Sequence, residues 1–201
     1  MHQKAQGGTK MKVVAINGSA RKEGNTTHLI KMVFEELQKE GIETELIELS
    51  GKNITNCLAC FKCFENKDKK CNIKKDMLNE IIEKMANADA IILGSPTYFA
   101  NVSPEIKSVI DRAGLVGIAN DHLFARKVGA AVVAARRAGS TNVFDAINKF
   151  FFINQMIVPG SLYWNMGVGL QPGDVDNDEE GVRTMKVLGQ NMAWLLKKIN
   201  A

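Results

Sequence analysis

Apolar positions along the chain follow two alternating patterns. Short apolar runs such as Lys12–Asn17 are typical of strands buried on both faces, whereas the repeat of Leu29, Val33 and Leu37 marks one face of a helix that Gly41 ends. These patterns predict strands at 12–17, 43–49, 89–94, 127–134 and 156–160. They predict helices at 26–40, 75–87, 104–112, 142–154 and 179–199, with Ser103 capping the third.

Alternating helices and continuously apolar strands predict an α/β fold. The sheet is expected to be doubly wound, five-stranded and parallel, in the flavodoxin-like order 2-1-3-4-5. The length of 201 residues suits one domain. We assign that domain to residues 11–201, with a cysteine-rich loop at 53–74 inserted after the second strand. Residues 1–10 are expected to be a disordered tail or an expression remnant, with Met11 as the natural start.

The charge balance limits the partners. The chain has 26 basic and 22 acidic residues and a net charge of +4, which is too mild to predict nucleic-acid binding. No apolar run reaches the ~20 residues of a membrane span, and no secretory signal is visible, so we expect a cytoplasmic protein with no membrane contact. Residues 52–75 carry seven lysines against Glu65 and Asp68, a local charge of about +5.

The loop after the first strand has the composition of a phosphate site. It offers hydroxyls at Ser19, Thr26 and Thr27, a cation at Arg21, and the N-terminus of the first predicted helix. It contains neither a P-loop nor a dinucleotide glycine pattern, which favours a mononucleotide. The alternative is an ordinary polar turn with Asn25 or Thr26 as the helix cap.

The loop after the third strand offers the surface that a flavin ring needs. Pro96 stiffens the backbone, the segment from Thr97 to Asn101 supplies amide donors, and Tyr98 and Phe99 supply flat apolar area. Plain packing of the two aromatic rings is the alternative.

The loop after the fourth strand contributes cations and a glycine. Arg136 and Arg137 are suited to stabilising an anionic reduced flavin or a nicotinamide phosphate, and Gly139 lets backbone approach a ligand closely. Surface cations at a strand end are the alternative for both arginines.

All four cysteines of the chain lie within fifteen residues. Cys57, Cys60 and Cys63 follow a C-x2-C-x2-C spacing, and Cys71 comes eight positions later. Thiolates are the soft ligands that iron–sulfur clusters and zinc select, and the short spacing favours a 4Fe–4S cluster. Unoccupied or redox-labile thiols, zinc and disulfides are the alternatives. The surrounding lysines would offset the negative charge of a cluster and attract an acidic electron donor.

These segments together resemble the flavodoxin-like NAD(P)H-dependent FMN reductase superfamily, and the cysteines make the chain most similar to its iron–sulfur flavoproteins. The resemblance runs from Met11 to the C-terminus. It implies FMN, a 4Fe–4S cluster on the four cysteines, and a homodimer or a tetramer of two dimers. It places the isoalloxazine ring against residues 96–99 and Gly139. The residues implied in holding the FMN phosphate are Ser19, Arg21, Asn25, Thr26 and Thr27.

The function expected from these observations is an FMN-dependent oxidoreductase that transfers electrons between the cluster and FMN. A ferredoxin-like acidic protein is the expected donor, NAD(P)H an alternative donor, and a small molecule the acceptor. A flavin-only NAD(P)H-dependent FMN or quinone reductase and a non-enzymatic flavodoxin-like carrier are the rival functions. Asp111 and Arg112 are expected at a helix end, either on the surface or in a subunit interface.

Overall fold

A computed structural model of the protein describes residues 10–201, so the prediction of a tail falls almost entirely on residues outside that range. The strands are β1 (Lys12–Asn17), β2 (Glu43–Glu48), β3 (Ala90–Pro96), β4 (Val128–Ala135) and β5 (Met166–Val168). The helices are α1 (Asn25–Lys39), α2 (Lys62–Asn66), α3 (Leu78–Asn87), α4 (Pro104–Ala119), α5 (Ser140–Ile153) and α6 (Glu179–Ile199), with a 3₁₀ helix at Asp174–Asn177.

The five strands form one parallel sheet in the order β2-β1-β3-β4-β5, which confirms the predicted fold class. The registers align the carboxyl ends of β1, β3 and β4 at one edge: Asn17 pairs with Gly94, and Pro96 with Ala134. The loops that follow these three strands therefore meet at that edge, as the switch-point geometry of such sheets requires.

Helices cover both faces of the sheet. Along β1, Val14 and Ile16 face a core shared with α3, α4 and α5, while Val13 and Ala15 face the core of α1 and α6. All four side chains are completely buried, which is why the strand reads as a continuous apolar run.

The fifth strand does not lie where the pattern placed it. Residues 156–160 form only an isolated bridge between Ile157 and Val128, and β5 proper is Met166–Val168, which pairs with the end of β4. Pro159 has no N–H to extend a ladder, and the chain leaves the sheet before returning. The prediction of a strand at 156–160 was therefore wrong: its apolar part, 156–158, is as long as β5 and more apolar, but it forms only that bridge.

Helix α4 is longer than predicted, ending at Ala119 and not at Arg112. Gly114 and Gly117 lie inside it because close packing outweighs helix propensity there. A Cβ added at Gly117 would lie 2.9 Å from the Phe124 ring. The predicted cap is confirmed: Ser103 Oγ accepts the N–H of Ile106 at 3.3 Å.

Within residues 10–201 no helix combines the length and apolarity needed to cross a bilayer.

Candidate active site

A cleft of about 140 Å³ opens at the carboxyl edge of the sheet. Eight residues expected to bind a cofactor line it: Ser19, Arg21, Asn25, Thr26, Pro96, Thr97, Tyr98 and Arg136. Ala134, Ala135, Gly169 and Leu170 line it as well and were missed. The last two follow β5, so misplacing that strand removed them from the prediction.

Side-chain hydrogen bonds give the loop after β1 its shape. Asn17 Oδ1 accepts the N–H of Ser19 at 2.9 Å, and Ser19 Oγ accepts the N–H of Arg21 at 3.1 Å. Gly18 fits because a Cβ there would lie 2.2 Å from Ile106 Cγ1. The loop is therefore held by its own polar groups against α4 and keeps Arg21 at the mouth of the cleft.

The start of α1 leaves polar groups unsatisfied. Gly24 is its N-cap, so no side chain caps the helix, and its first turn contains no acidic residue. Asn25 Oδ1, Thr26 Oγ1 and Thr97 Oγ1 are all buried without a hydrogen-bond partner in the described part of the chain, and all three residues line the cleft. Orphaned buried polar atoms are costly unless a ligand satisfies them. The two threonine hydroxyls and the open helix N-terminus can donate to an anionic phosphate, and Asn25 Oδ1 can accept from a hydroxyl elsewhere on the ligand.

Thr27, which was also expected to bind the phosphate, lies behind the cleft. It is completely buried and does not line the cleft. Its hydroxyl accepts from Asn17 Nδ2 at 2.8 Å and donates to Glu48 Oε1 at 3.0 Å. The hydroxyl thus accepts one bond and donates its single O–H, and these two bonds tie α1 to β1 and β2.

The loop after β3 forms a tight hairpin turn. The backbones of Tyr98 and Asn101 exchange two hydrogen bonds of 3.0 Å, while the central Phe99 and Ala100 have φ of 47° and 56°. Positive φ at two non-glycine residues is strained, and such strain is typical of functional loops. The turn leaves Phe99 fully exposed and presents Tyr98 to the cleft; Phe99 and Asn101 do not line it.

Gly139 packs closely against Ala100 of this turn. Its φ is 89°, and a Cβ there would lie 2.8 Å from Ala100 Cβ. Gly139 was expected to let backbone approach a ligand closely. In the structure its nearest neighbour is Ala100 of the hairpin turn. Arg136, the first residue after β4, is exposed and lines the cleft.

The four cysteines surround a second, mostly apolar cavity between the segment 49–77 and α4. The cavity is lined by Cys57, Leu58, Cys60, Phe61, Cys63, Cys71, Asn72, Ile73, Arg112, Leu115 and Val116. All four thiols are free; Cys60 is exposed and Cys63 is buried. The spacing therefore does bring the four side chains to one place.

The backbone of the cysteine segment turns donors toward sulfur. Ala59 and Phe61, one in each x2 spacer, have φ of 48° and 54°. The N–H of Ala59 donates to Cys57 Sγ at 3.4 Å. Burial raises the pKa of the Cys63 thiol, although N–H groups of Cys63 and Phe64 act in the opposite direction. Hydrogen-bond donors of this kind stabilise the negative charge of a thiolate and orient it as a metal ligand.

Within residues 10–201 no group of three or more His, Cys, Asp or Glu side chains is arranged to hold a metal ion. The four cysteines line one cavity, and thiolates are the soft donors that iron–sulfur clusters and zinc select.

Arg112 is neither on the surface nor at a helix end. Its side chain is completely buried in the middle of α4, paired with Asp76 at 2.5 Å, and its Nε donates to Cys71 Sγ at 3.3 Å. Both predicted locations were wrong. A signal was available, because Val109, Ala113 and Val116 lie on the apolar face of α4 and the helical repeat places Arg112 among them.

A parallel, doubly wound sheet with a polar cleft at the ends of β1, β3 and β4 defines a flavodoxin-like protein. Comparison with known proteins agrees: the model of the family NADPH-dependent FMN reductase matches residues 11–171. An iron–sulfur flavoprotein of Methanocaldococcus jannaschii is 42% identical over 196 residues, covering 94% of this chain and 99% of that protein. One from Methanosarcina thermophila is 31% identical over 191 residues, covering 94% and 97%.

Solved structures agree on the fold. The flavodoxin-type, WrbA-like protein of Agrobacterium tumefaciens superposes with a TM-score of 0.66 at 16% identity, covering 94% of this chain and 99% of that one. The chain belongs to the NADPH-dependent FMN reductase family, and its similar relatives are iron–sulfur flavoproteins. The protein is thus an FMN-dependent oxidoreductase, which favours an enzyme over the carrier alternative.

Proposed function

We propose that this protein is an oxidoreductase of the iron–sulfur flavoprotein type, which transfers electrons between a 4Fe–4S cluster and FMN. The observation that carries the proposal is the gathering of all four cysteines around one cavity in a chain whose relatives bear that name. The cluster would be held by Cys57, Cys60, Cys63 and Cys71. The cavity measures only about 20 Å³, so we expect the exposed Cys60 turn to move outward when a cluster is loaded.

The FMN phosphate would be bound by the start of α1. Thr26 Oγ1 and the carboxamide of Asn25 supply the unpaired polar groups, and Arg21 supplies the cation. The flavin, once bound, supplies one-electron and two-electron chemistry, so the protein needs no general acid or base. The residues of the chain would bind and orient it: Thr97 and Tyr98, which line the cleft, would border the ring, and Arg136, which also lines it, would offset the negative charge of the reduced flavin.

The reducing partner in this proposal is an acidic, ferredoxin-like protein. All seven lysines of residues 52–75 are exposed, and within the described residues 10–201 only Lys62 of these forms an ion pair, with Glu65 at 2.6 Å. Neutralising Lys67, Lys69 and Lys70 together should slow reduction by ferredoxin and weaken its dependence on ionic strength. Unchanged rates at low salt would remove the acidic donor from the proposal.

We further propose a cytoplasmic homodimer or tetramer, whose acceptor is a small molecule. The fully exposed Phe99 and the exposed Leu58 and Phe61 beside the cysteines are surfaces that association would cover. Sedimentation velocity of the FMN-loaded protein tests the assembly, and a monomer at micromolar concentration would contradict it.

The deciding experiment is anaerobic purification with measurement of iron, acid-labile sulfide, FMN and the absorbance spectrum. We expect about four irons and four sulfides per chain together with FMN. Protein that carries FMN but takes up no iron after reconstitution would contradict the proposal that the chain binds a cluster. A flavin-only NAD(P)H-dependent reductase of FMN or quinones would then be the function, which the family description supports.

A further inference from the structure

Every N–H of the Arg112 guanidinium group donates a hydrogen bond to the cysteine segment, within residues 55–76. Nη1 donates to Thr55 O at 2.9 Å and to Asp76 Oδ2 at 2.5 Å. Nη2 donates to Ile73 O at 3.1 Å and to Asp76 Oδ1 at 3.2 Å. Nε donates to Cys71 Sγ at 3.3 Å. A single side chain of α4 therefore holds residues 55–76 at four points.

Asp76 completes the arrangement. Its side chain is 2% exposed, and besides Arg112 it accepts the N–H groups of Thr55 and Leu78 at 2.9 and 3.2 Å. Burial by itself would raise the pKa of Asp76, but the hydrogen bonds from Arg112 and these two N–H groups hold it below its usual range. The pair is therefore ionised and fully hydrogen-bonded, which a buried pair requires to be tolerated.

The contact with sulfur distinguishes this network from a structural clamp. A thiol is a weak acceptor, whereas a thiolate forms a charge-assisted hydrogen bond with a guanidinium. Asn79 holds the backbone of the same cysteine, accepting the Cys71 N–H at 2.7 Å and donating to its carbonyl at 2.9 Å. Asn79 thus fixes the backbone of Cys71 without help from Arg112. The hydrogen bond from Arg112 Nε to this cysteine acts only on its sulfur.

We propose that Arg112 is a positioning residue for the cluster: it orients Cys71 Sγ and raises the reduction potential of the cluster, while Asp76 moderates its charge. This inference rests on the proposed function. A reduced cluster is more negative than an oxidised one, so a buried cation bonded to a ligand sulfur stabilises the reduced form. A buried anion behind that cation has the opposite effect.

Substitutions of Arg112 and of Asp76 should therefore shift the midpoint potential of the cluster in opposite directions. Arg112→Met removes the cation and the bond to sulfur, and we expect the midpoint potential to become more negative and iron release to a chelator to accelerate about tenfold or more. Arg112→Lys keeps the positive charge but loses the planar set of five N–H donors, and we expect a smaller negative shift of the midpoint potential. Asp76→Asn leaves Arg112 unneutralised, and we expect a more positive potential. A clamp without an electrostatic role would lower iron retention in all three variants without this change of sign.

Two exposed residues provide matched controls. Lys107→Met removes a cation from the same helix, where it pairs with Asp111 on the surface at 2.6 Å. Asp68→Asn removes an anion from the cysteine segment, where it accepts the N–H of Lys70. Because solvent and salt screen both positions, we expect neither control to shift the potential at 0.15 M salt.

The measurements are a redox titration followed by electron paramagnetic resonance, iron content, and tryptic cleavage within residues 52–75. Equal potentials in wild type, Arg112→Met and Asp76→Asn, at full iron content, would overturn the inference and leave the proposed function intact. A wild-type chain that takes up no iron would overturn the proposed function and, with it, the effect on potential. The positioning of the segment is then decided without iron: faster cleavage in Arg112→Lys than in Lys107→Met supports it, and equal rates overturn it.

Discussion

Arg21 Nη1 donates to the backbone carbonyl of Leu170 at 2.9 Å, across 149 positions of sequence. This bond joins the loop after β1 to the segment after β5 and closes one side of the cleft. It also fixes the direction of the guanidinium, whose remaining N–H groups would donate to the phosphate in the proposed FMN site. The cleft is thus assembled from two ends of the domain.

Replacing Arg21 with Ala should raise the dissociation constant of FMN about tenfold or more, since a hydrogen bond to a charged group contributes about 1.5–3 kcal/mol. Arg21→Lys should be intermediate, because an ammonium group does not satisfy phosphate and Leu170 in the same way. Fluorescence titration with FMN measures both. Lys22→Ala, which removes an exposed neighbouring cation outside the cleft, is the control, and an equal effect there would assign the loss to general charge.

Thr26→Val and Thr27→Val should have opposite effects. Thr26 Oγ1 is buried without a partner, so its removal should leave the flavin-free protein equally or more stable while FMN binding weakens about five- to tenfold. Thr27→Val strands the buried Asn17 amide and should cost about 1–3 kcal/mol of stability with little change in affinity. Urea unfolding and FMN titration on the same samples check this. Unchanged affinity in Thr26→Val would remove Thr26 from the phosphate site.

Gly139→Ala should disturb the hairpin turn at 98–101. The new Cβ meets Ala100 Cβ at 2.8 Å and forces a φ of 89° on alanine, so we expect a loss of about 2–3 kcal/mol and weaker FMN binding. Gly51→Ala isolates the backbone effect, because its φ is 70° and a Cβ there meets nothing within 4 Å. We expect about 1 kcal/mol and unchanged FMN affinity for that control. Similar losses in both variants would mean that the turn is not held by this contact.

Glu45 should make stability depend on pH. Hydrogen bonds from Lys12 and Lys84 hold the pKa of this carboxyl below its usual range. A lowered folded-state pKa stabilises the fold above the unfolded value of about 4.3, and this contribution disappears as pH falls through the folded pKa. Wild type should thus exceed Glu45→Gln by about 0.5–1 kcal/mol at pH 7, and the difference should vanish in acid below that window.

Thermal unfolding at pH 7, 5, 4 and 3 measures this convergence. Glu43→Gln is the control on the same strand, because Glu43 pairs at 3.1 Å with an exposed Lys10 and half of its own side chain is exposed. A difference between wild type and Glu45→Gln that stays constant with pH would contradict the assigned ion pairs.

The accuracy of the sequence-based prediction followed the range of the interactions. Strand β1 was predicted to the residue, and α6 likewise, because burial on both faces or on one helical face leaves a local periodic signal. Strand β5 has only three residues, and its sequence Met-Gly-Val is less apolar than Met-Ile-Val at 156–158, which forms only a bridge to β4. Register between distant segments has no local signature, so this strand and Gly169 were missed.

The sequence by itself determined the alternation of strands and helices, hence the parallel sheet, and placed the loops after β1, β3 and β4 at one edge. Local hydrogen bonding and burial produce that periodicity, so it can be read without a structure. Only the tertiary structure decided which groups within those loops face the cleft, and that Arg112 reaches Cys71 and Asp76 from 41 and 36 positions away. Such contacts depend on the rotation of α4 against the sheet, which packing of the whole core sets.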